Sequence, residues 1–499
     1  MTRKSGVLMH VSSLWGEFGI GSFGYEAKQF IDYLHKGGFS YWQVLPFSIA
    51  DDVNSPYKSF SAFLGNPYFI DLPTLACDGL INWDELNTAR QHTPWTCEYA
   101  RLYEERYTLL NAAADRFQDK QAVYDWLEAN PEIYNAVRFM ALKAQNGYRM
   151  WTEWEITEAD ENEVYHWGFM QYMFYKQWAD IRNYAHSKNI EIIGDIPIYV
   201  SYDSADVWAH PDLFDLDEGF NPRHVAGVPP DYFSEDGQLW GNPIYNWAKM
   251  KEDDFAWWKE RLRNTLELFD VVRIDHFRAL DTYWEIPADA KTAKRGKWRK
   301  GPGRPFIRAI KEVCGEGRLI AEDLGDIFDS TVKLIEYAGF PGMRVFQFGF
   351  GDSNESIHLP HNYPSNCVAY TGTHDNDTLL GYIWSADDET RQQVFDYCQF
   401  QGGHWDGSYD RVIQTMLACH ADTVVFPLQD LLHYGSDTRM NTPGTRDGNW
   451  CWRITGDAPE RIDWKRLLEL NLLYGRLEMP KKEKEEAEIL EKVAEKATK

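Results

Sequence analysis

The sequence has no apolar run approaching the roughly 18 residues that a membrane-spanning helix needs. Its start, "MTRKSGVLMHVSSL", holds an apolar stretch too short and too interrupted for the core of a secretion signal. A cytoplasmic protein is expected. Positive charge is scarce: 51 Lys and Arg stand against 77 Asp and Glu, for a formal net charge of −26. A field of that sign repels nucleic acid and anionic membranes at long range, so a neutral or cationic ligand fits better. Cysteine is sparse and odd in number, with seven residues (Cys77, Cys97, Cys314, Cys367, Cys398, Cys419 and Cys451) and no C-x-x-C pair. That argues against a disulfide frame or zinc site and fits free thiols in a reducing compartment. No G-x-G-x-x-G follows the first apolar run, which weakens a doubly wound dinucleotide fold, and no repeat recurs at a fixed period.

Aromatics, by contrast, are plentiful: 21 Trp, 28 Tyr and 27 Phe make up 15 % of the chain. Most are expected to fill a core, whereas rings in loops offer flat faces on which sugars stack. Eight short, nearly continuous apolar runs recur, at 6–11, 41–47, 190–198, 271–277, 318–324, 343–350, 367–375 and 423–430. Runs without alternation are what strands buried on both faces look like. Segments between several of them have helical periodicity: 24–38, 174–188, 254–269, 304–313 and 328–338. Eight strands alternating with helices predict a (β/α)₈ barrel, which carries its catalytic groups at the C-terminal ends of its strands. The reading is one catalytic domain over 1–475, with a mostly helical insertion at about 48–160 and structured loops at 200–250. Residues 476–499 read as a charged C-terminal tail.

The strand ends collect Asp195, Arg273, Asp275, His276, Glu322, Asp323, His374, Asp375 and Asp377. Singly, each acid is as well explained by a helix cap or an ion pair. Together in one mouth they fit two chemistries: a divalent metal held by carboxylates and histidine, or glycosyl transfer by paired carboxyl groups. Arg273 favours the second. It stands two residues before Asp275 on the same strand face, where a guanidinium is expected to lower the aspartate's pKa and keep it ionised. Beside a metal, that same cation would compete with the ion.

Six blocks then carry a resemblance: "VVRIDHFR", "AEDLG", "TGTHDND", "SPYKSFSAFLGNPYFIDL", "GVPPDYFSEDGQLWGNP" and "RMNTPGTRDGNWCWR". They resemble the motifs of the amylomaltases, the 4-α-glucanotransferases of glycoside hydrolase family 77. The R-x-D, E and H-D signatures within the first three are shared with the wider α-amylase superfamily, and the last three blocks narrow the match to the transferases. The resemblance implies Asp275 as nucleophile, Glu322 as general acid and then base, and Asp375 as third acid, with no cofactor and no metal. It also implies sugar contacts from His276, His374 and Asp195, from Tyr57 beside Ser55, and from Trp240 and Arg273. Phe233 is implied as a mobile cover on the acceptor side, with Asp352 and Asn441 as acceptor-side polar contacts. The implied substrates are maltooligosaccharides, amylose, starch or glycogen-derived glucans, with glucose as an acceptor and neither nucleic acid nor membrane as partner.

Water at roughly 55 M competes with a bound sugar hydroxyl for such an intermediate, and positioning supplies effective molarities of about 10⁵ M or more. A cleft that excludes water therefore decides between transfer and hydrolysis. Phe233→Ser is expected to raise the ratio of glucose released to glucan transferred, measured on maltotriose; an unchanged ratio would remove that role. The alternatives are an α-glucan hydrolase with the same acids, a divalent-metal sugar isomerase sensitive to chelator, and a silent glucan-binding scaffold indifferent to Asp275→Asn.

Overall fold

In the computed structural model, which describes residues 3–49, 53–230, 235–325, 327–351, 355–402 and 406–477, every one of the eight apolar runs overlaps a strand. The strands are β1 (Lys4–Leu8), β2 (Tyr41–Gln43), β3 (Glu191–Ile196), β4 (Val271–Ile274), β5 (Leu319–Ala321), β6 (Gly342–Val345), β7 (Cys367–Tyr370) and β8 (Thr423–Pro427). They pair in parallel in the order β6-β7-β8-β1-β2-β3-β4-β5. The fold is a (β/α)₈ barrel.

The seam between β5 and β6 is stitched differently. The Ala321 N–H donates to the Pro341 carbonyl at 2.9 Å. Asp323 then spans the gap, accepting the Met343 N–H at 2.6 Å and an Arg344 N–H at 3.1 Å. A Cβ at Gly342 would lie 2.4 Å from the Asp323 carboxylate, so glycine is what lets the two strands approach. Asp323, one of the acids at the strand ends, is therefore part of the wall.

Side chains on the strands alternate between two apolar environments, as strands covered on both faces require. Leu8, Ile193, Ile320, Met343, Val368, Tyr370 and Val425 fill the barrel interior. Val7, Trp42, Ile192, Val272, Leu319, Ala369 and Val424 face the surrounding helices. On β4 the interior position after Val271 is Arg273, a charge where its neighbours carry hydrocarbon.

The helix Tyr25–Lys36 buries Ala27, Phe30, Ile31 and Leu34, as its periodicity predicts. The helix expected over 174–188 is longer, Glu161–Ser187, because the Asp160 side chain caps it by accepting the N–H groups of Asn162 and Glu163. Helices Trp83–Thr88, Tyr99–Arg116, Lys120–Ala129 and Pro131–Gln145 occupy the long connection between β2 and β3. The stretch 200–250, read as loop, contains two strands, His224–Val228 and Gln238–Pro243. With Thr282–Pro287 and Lys297–Lys300 they make a four-stranded antiparallel sheet. Packing continues to Arg476, which is buried and donates to the Leu417 carbonyl at 2.7 Å and the Lys4 carbonyl at 3.0 Å. The charged tail read from 476 begins after it, and 478–499 lie outside the described residues.

Candidate active site

Asp195 on β3 and Arg273 on β4 are register partners, and both point inward at the C-terminal end of the barrel. Arg273 grips Asp195 through Nη2 at 2.6 Å and Nε at 3.1 Å, and Nη2 also reaches Asp275 at 3.0 Å. The Tyr57 hydroxyl donates to the same Asp195 oxygen at 2.6 Å and lies 3.2 Å from the Arg273 Nη2. The side chains of Arg273 and Asp195 are 4 % and 0 % exposed. Removing one member of a buried ion pair leaves its partner without compensation and costs about 3–5 kcal/mol. Arg273→Ala is therefore expected to lower unfolding stability by about 3–5 kcal/mol in denaturant titration.

β4 ends as Asp275 follows it, and the next residue turns sharply. His276 has φ 50° and ψ 48°, a left-handed conformation uncommon for a side-chain-bearing residue and concentrated at functional turns. That turn aims the His276 N–H at the Glu322 carboxyl, 2.7 Å away, and stands the imidazole edge-on to Trp240 with ring centroids 4.9 Å apart. Glu322 follows β5, and its other oxygen accepts the Leu324 N–H at 2.8 Å. Asp275 and Glu322 are thus held side by side through the His276 backbone.

Burial pushes the Asp275 carboxyl upward; Arg273 opposes that, and the charges of Asp195, Glu322 and Asp375 add to it. Arg273 lowers the Asp275 carboxyl as expected, but the expected net depression is corrected: the guanidinium is shared with Asp195, and one cation does not offset burial among several acids. Asp275 is nonetheless 32 % exposed, so solvent in the open cleft moderates the rise. Glu322 is also raised, first by burial, against Arg273 and its two backbone N–H donors. Burial pushes His276 down to about 3 and also lowers His374, so near neutral pH each imidazole is uncharged and offers one N–H.

His374 and Asp375 sit on the loop after β7. The His374 ring stacks on Tyr57 at 5.1 Å and 16°, with Trp450 beside both rings. Asp375 accepts the Asn441 side-chain N–H at 2.7 Å and is 47 % exposed. Asp377 is absorbed locally: its oxygens take the Thr378 N–H and the Ser436 hydroxyl, both at 2.8 Å. Ser55 accepts the Tyr57 N–H at 3.3 Å and so shapes the turn that presents the ring. Ser55, Tyr57, Trp240, Asp275, His374, Asp375 and Asn441 line one open cleft. Asp195, Arg273, His276 and Glu322 join through the contacts above, while Phe233 and Asp352 lie outside the described residues.

The same cleft is lined by residues that sequence reasoning did not single out, among them Tyr199, Thr445, Asn449 and Trp450. Trp450 was signalled by its block, 439–453; nothing in the sequence marked Tyr199. Among the described residues no group of three or more His, Cys, Asp or Glu side chains is placed to hold a metal ion. The position a cation would take between Asp195 and Asp275 is filled by Arg273.

A sequence model of the family described as glycoside hydrolase 77, 4-α-glucanotransferase, matches residues 9–458. The 4-α-glucanotransferase of Streptococcus pneumoniae serotype 4 is 42 % identical, with 95 % of this chain and 98 % of that protein covered. That of Thermus thermophilus is 40 % identical, covering 91 % and 95 %. Among solved structures, an amylomaltase from Streptococcus agalactiae in complex with acarbose superposes with a TM-score of 0.91 at 39 % identity, covering 95 % of this chain and all of that one. The match extends over barrel, inserted helices and acid-lined cleft together, and the chain belongs to the 4-α-glucanotransferases of glycoside hydrolase family 77.

Proposed function

We propose that this 4-α-glucanotransferase moves an α-1,4-glucan segment from one maltooligosaccharide or amylose chain to the 4-hydroxyl of another glucan or of glucose, through a glycosyl ester on Asp275. The observation that carries this reading is the pairing of two carboxyl groups in different settings: Asp275 against Arg273, and Glu322 beside it on backbone N–H groups.

In the first step the Asp275 carboxylate attacks the anomeric carbon as the glycosidic C–O bond breaks, and Glu322 gives its proton to the departing 4-oxygen. In the second, the Glu322 carboxylate takes the proton of an acceptor 4-hydroxyl, whose oxygen displaces Asp275 and restores the α configuration. The cycle needs one proton on two carboxyl groups. Both carboxyl groups are raised by burial, and the Glu322 charge adds to the rise at Asp275, so ionising one disfavours ionising the other. Arg273 opposes the rise at both carboxyl groups and touches Asp275 directly at 3.0 Å. Asp375, set by Asn441, grips ring hydroxyls more tightly in the flattened, positively charged transition state than in the ground state. Tyr57, His374 and Trp450 present a wall of rings to the sugar beside it.

Incubation with maltotriose in the presence of EDTA tests the reading. Free glucose with a ladder of longer oligosaccharides supports it, shorter products alone would indicate hydrolysis, and loss of activity on chelation would indicate a metal.

A further inference from the structure

The last apolar run of the sequence, "TVVFPLQD", ends in an acid with no place in the chemistry above. Asp430 lies in the short helix Leu428–Leu431 that follows β8 and is 1 % exposed. Its two oxygens serve two different segments. One accepts the Thr371 hydroxyl at 2.5 Å, and the other accepts the Leu379 backbone N–H at 2.7 Å. Thr371 is the first residue after β7, and Leu379 opens the helix Leu379–Ser385. The residues between them, 372–378, form the loop that bears His374 and Asp375. A single carboxyl group therefore closes that loop at its base.

Other ties act within the loop or on its crest. The Thr373 N–H and hydroxyl both reach Asn376, at 2.8 and 2.9 Å. Gln347 donates to the Asp377 carbonyl at 2.8 Å, and Arg439 to the Asp375 carbonyl at 3.1 Å. None of these joins the two ends. We propose that Asp430 is a positioning residue of the transfer reaction, which fixes where His374 and Asp375 stand by tying Thr371 to Leu379. The inference rests on the role given above to Asp375.

Keeping an acid here is costly, which argues for a use. Burial pushes the Asp430 carboxyl up to about 7, against the pull of the Leu379 and Thr371 hydrogen bonds and with the Asp377 charge adding to the rise. A hydrocarbon in its place avoids that cost but leaves a buried N–H and hydroxyl unpaired.

Asp430→Ala, Asp430→Asn and Thr371→Val test the tie, with kcat, KM for maltotriose and the thermal midpoint measured for each, and with Asp375→Asn as reference. At a temperature where they stay folded, Asp430→Ala and Thr371→Val are expected to lose about tenfold or more in kcat with KM within about threefold, the pattern of an interaction realised in the transition state. Asp430→Asn is expected to recover most of that loss, because its amide offers an acceptor to Leu379 and a donor to the Thr371 hydroxyl. Should Asp430→Ala fail to fold, Thr371→Val carries the test alone, since it removes one hydroxyl. Full activity in Asp375→Asn would remove the reading of Asp375 and this inference with it. Loss in Asp375→Asn with wild-type kcat in Thr371→Val would overturn the positioning role alone. So would losses that follow the thermal midpoint equally in all three variants.

Discussion

Asp275→Asn is expected to lower disproportionation of maltotriose by a factor on the order of 10⁴ or more, at least about 5.4 kcal/mol of transition-state stabilisation. The amide has nearly the shape of the carboxylate but cannot attack the anomeric carbon or carry the ester. The fold should not suffer. Burial and neighbouring acids raise the folded-state pKa of Asp275, and a carboxyl raised in this way destabilises the folded state at every pH above its unfolded pKa. A neutral side chain removes that penalty, while Asp195 continues to pair with Arg273. Thermal unfolding of the variant at neutral pH is therefore expected at or above the wild-type midpoint. A variant that lost activity and several degrees of stability together would point to a structural carboxylate instead.

Glu322→Gln is expected to lose on the order of 10³ or more on maltotriose, but far less in the first, fluoride-releasing step on an α-maltosyl fluoride donor. Fluoride leaves without a proton, so the first step no longer needs the acid, whereas a 4-oxygen leaves poorly unless protonated. The second step still lacks its base, and the intermediate should accumulate. First-turnover rates on the two donors, read as the burst of fluoride or of glucose, check this, with equal losses on both arguing that Glu322 holds the site in shape without transferring a proton. The two N–H donors on Glu322 make glutamine a fair substitute, since its amide oxygen can keep one of them.

The barrel was legible because each strand is covered on both faces and so announces itself as an apolar run, wherever its partners lie in the chain. "VVRIDHF" shows the logic most clearly. Val271, Arg273 and Asp275 share the interior side while Val272 and Ile274 face the helices, so two-residue periodicity alone carries the charge to the mouth. What stayed hidden depends on distant partners. Asp323 and Asp377 stood beside Glu322 and Asp375 in the sequence with equal claims, and hydrogen bonds to Met343, Arg344, Thr378 and Ser436 remove them from the chemistry. The antiparallel sheet was missed because "HVAGV" and "QLWGNP" are short and glycine-bearing, the second largely exposed, and their pairing with Thr282–Pro287 and Lys297–Lys300 is non-local. The sharing of Arg273 with Asp195 was equally out of reach, since β3 and β4 are separated by the long excursion that carries part of that sheet.

The central claim is a sugar carried on Asp275, and mass spectrometry of Glu322→Gln quenched with acid after mixing with α-maltosyl fluoride tests it most directly. The account predicts one maltosyl unit per chain, located on the peptide that contains Asp275. An unmodified protein turning over the donor, or a maltosyl group on any other residue, would contradict it.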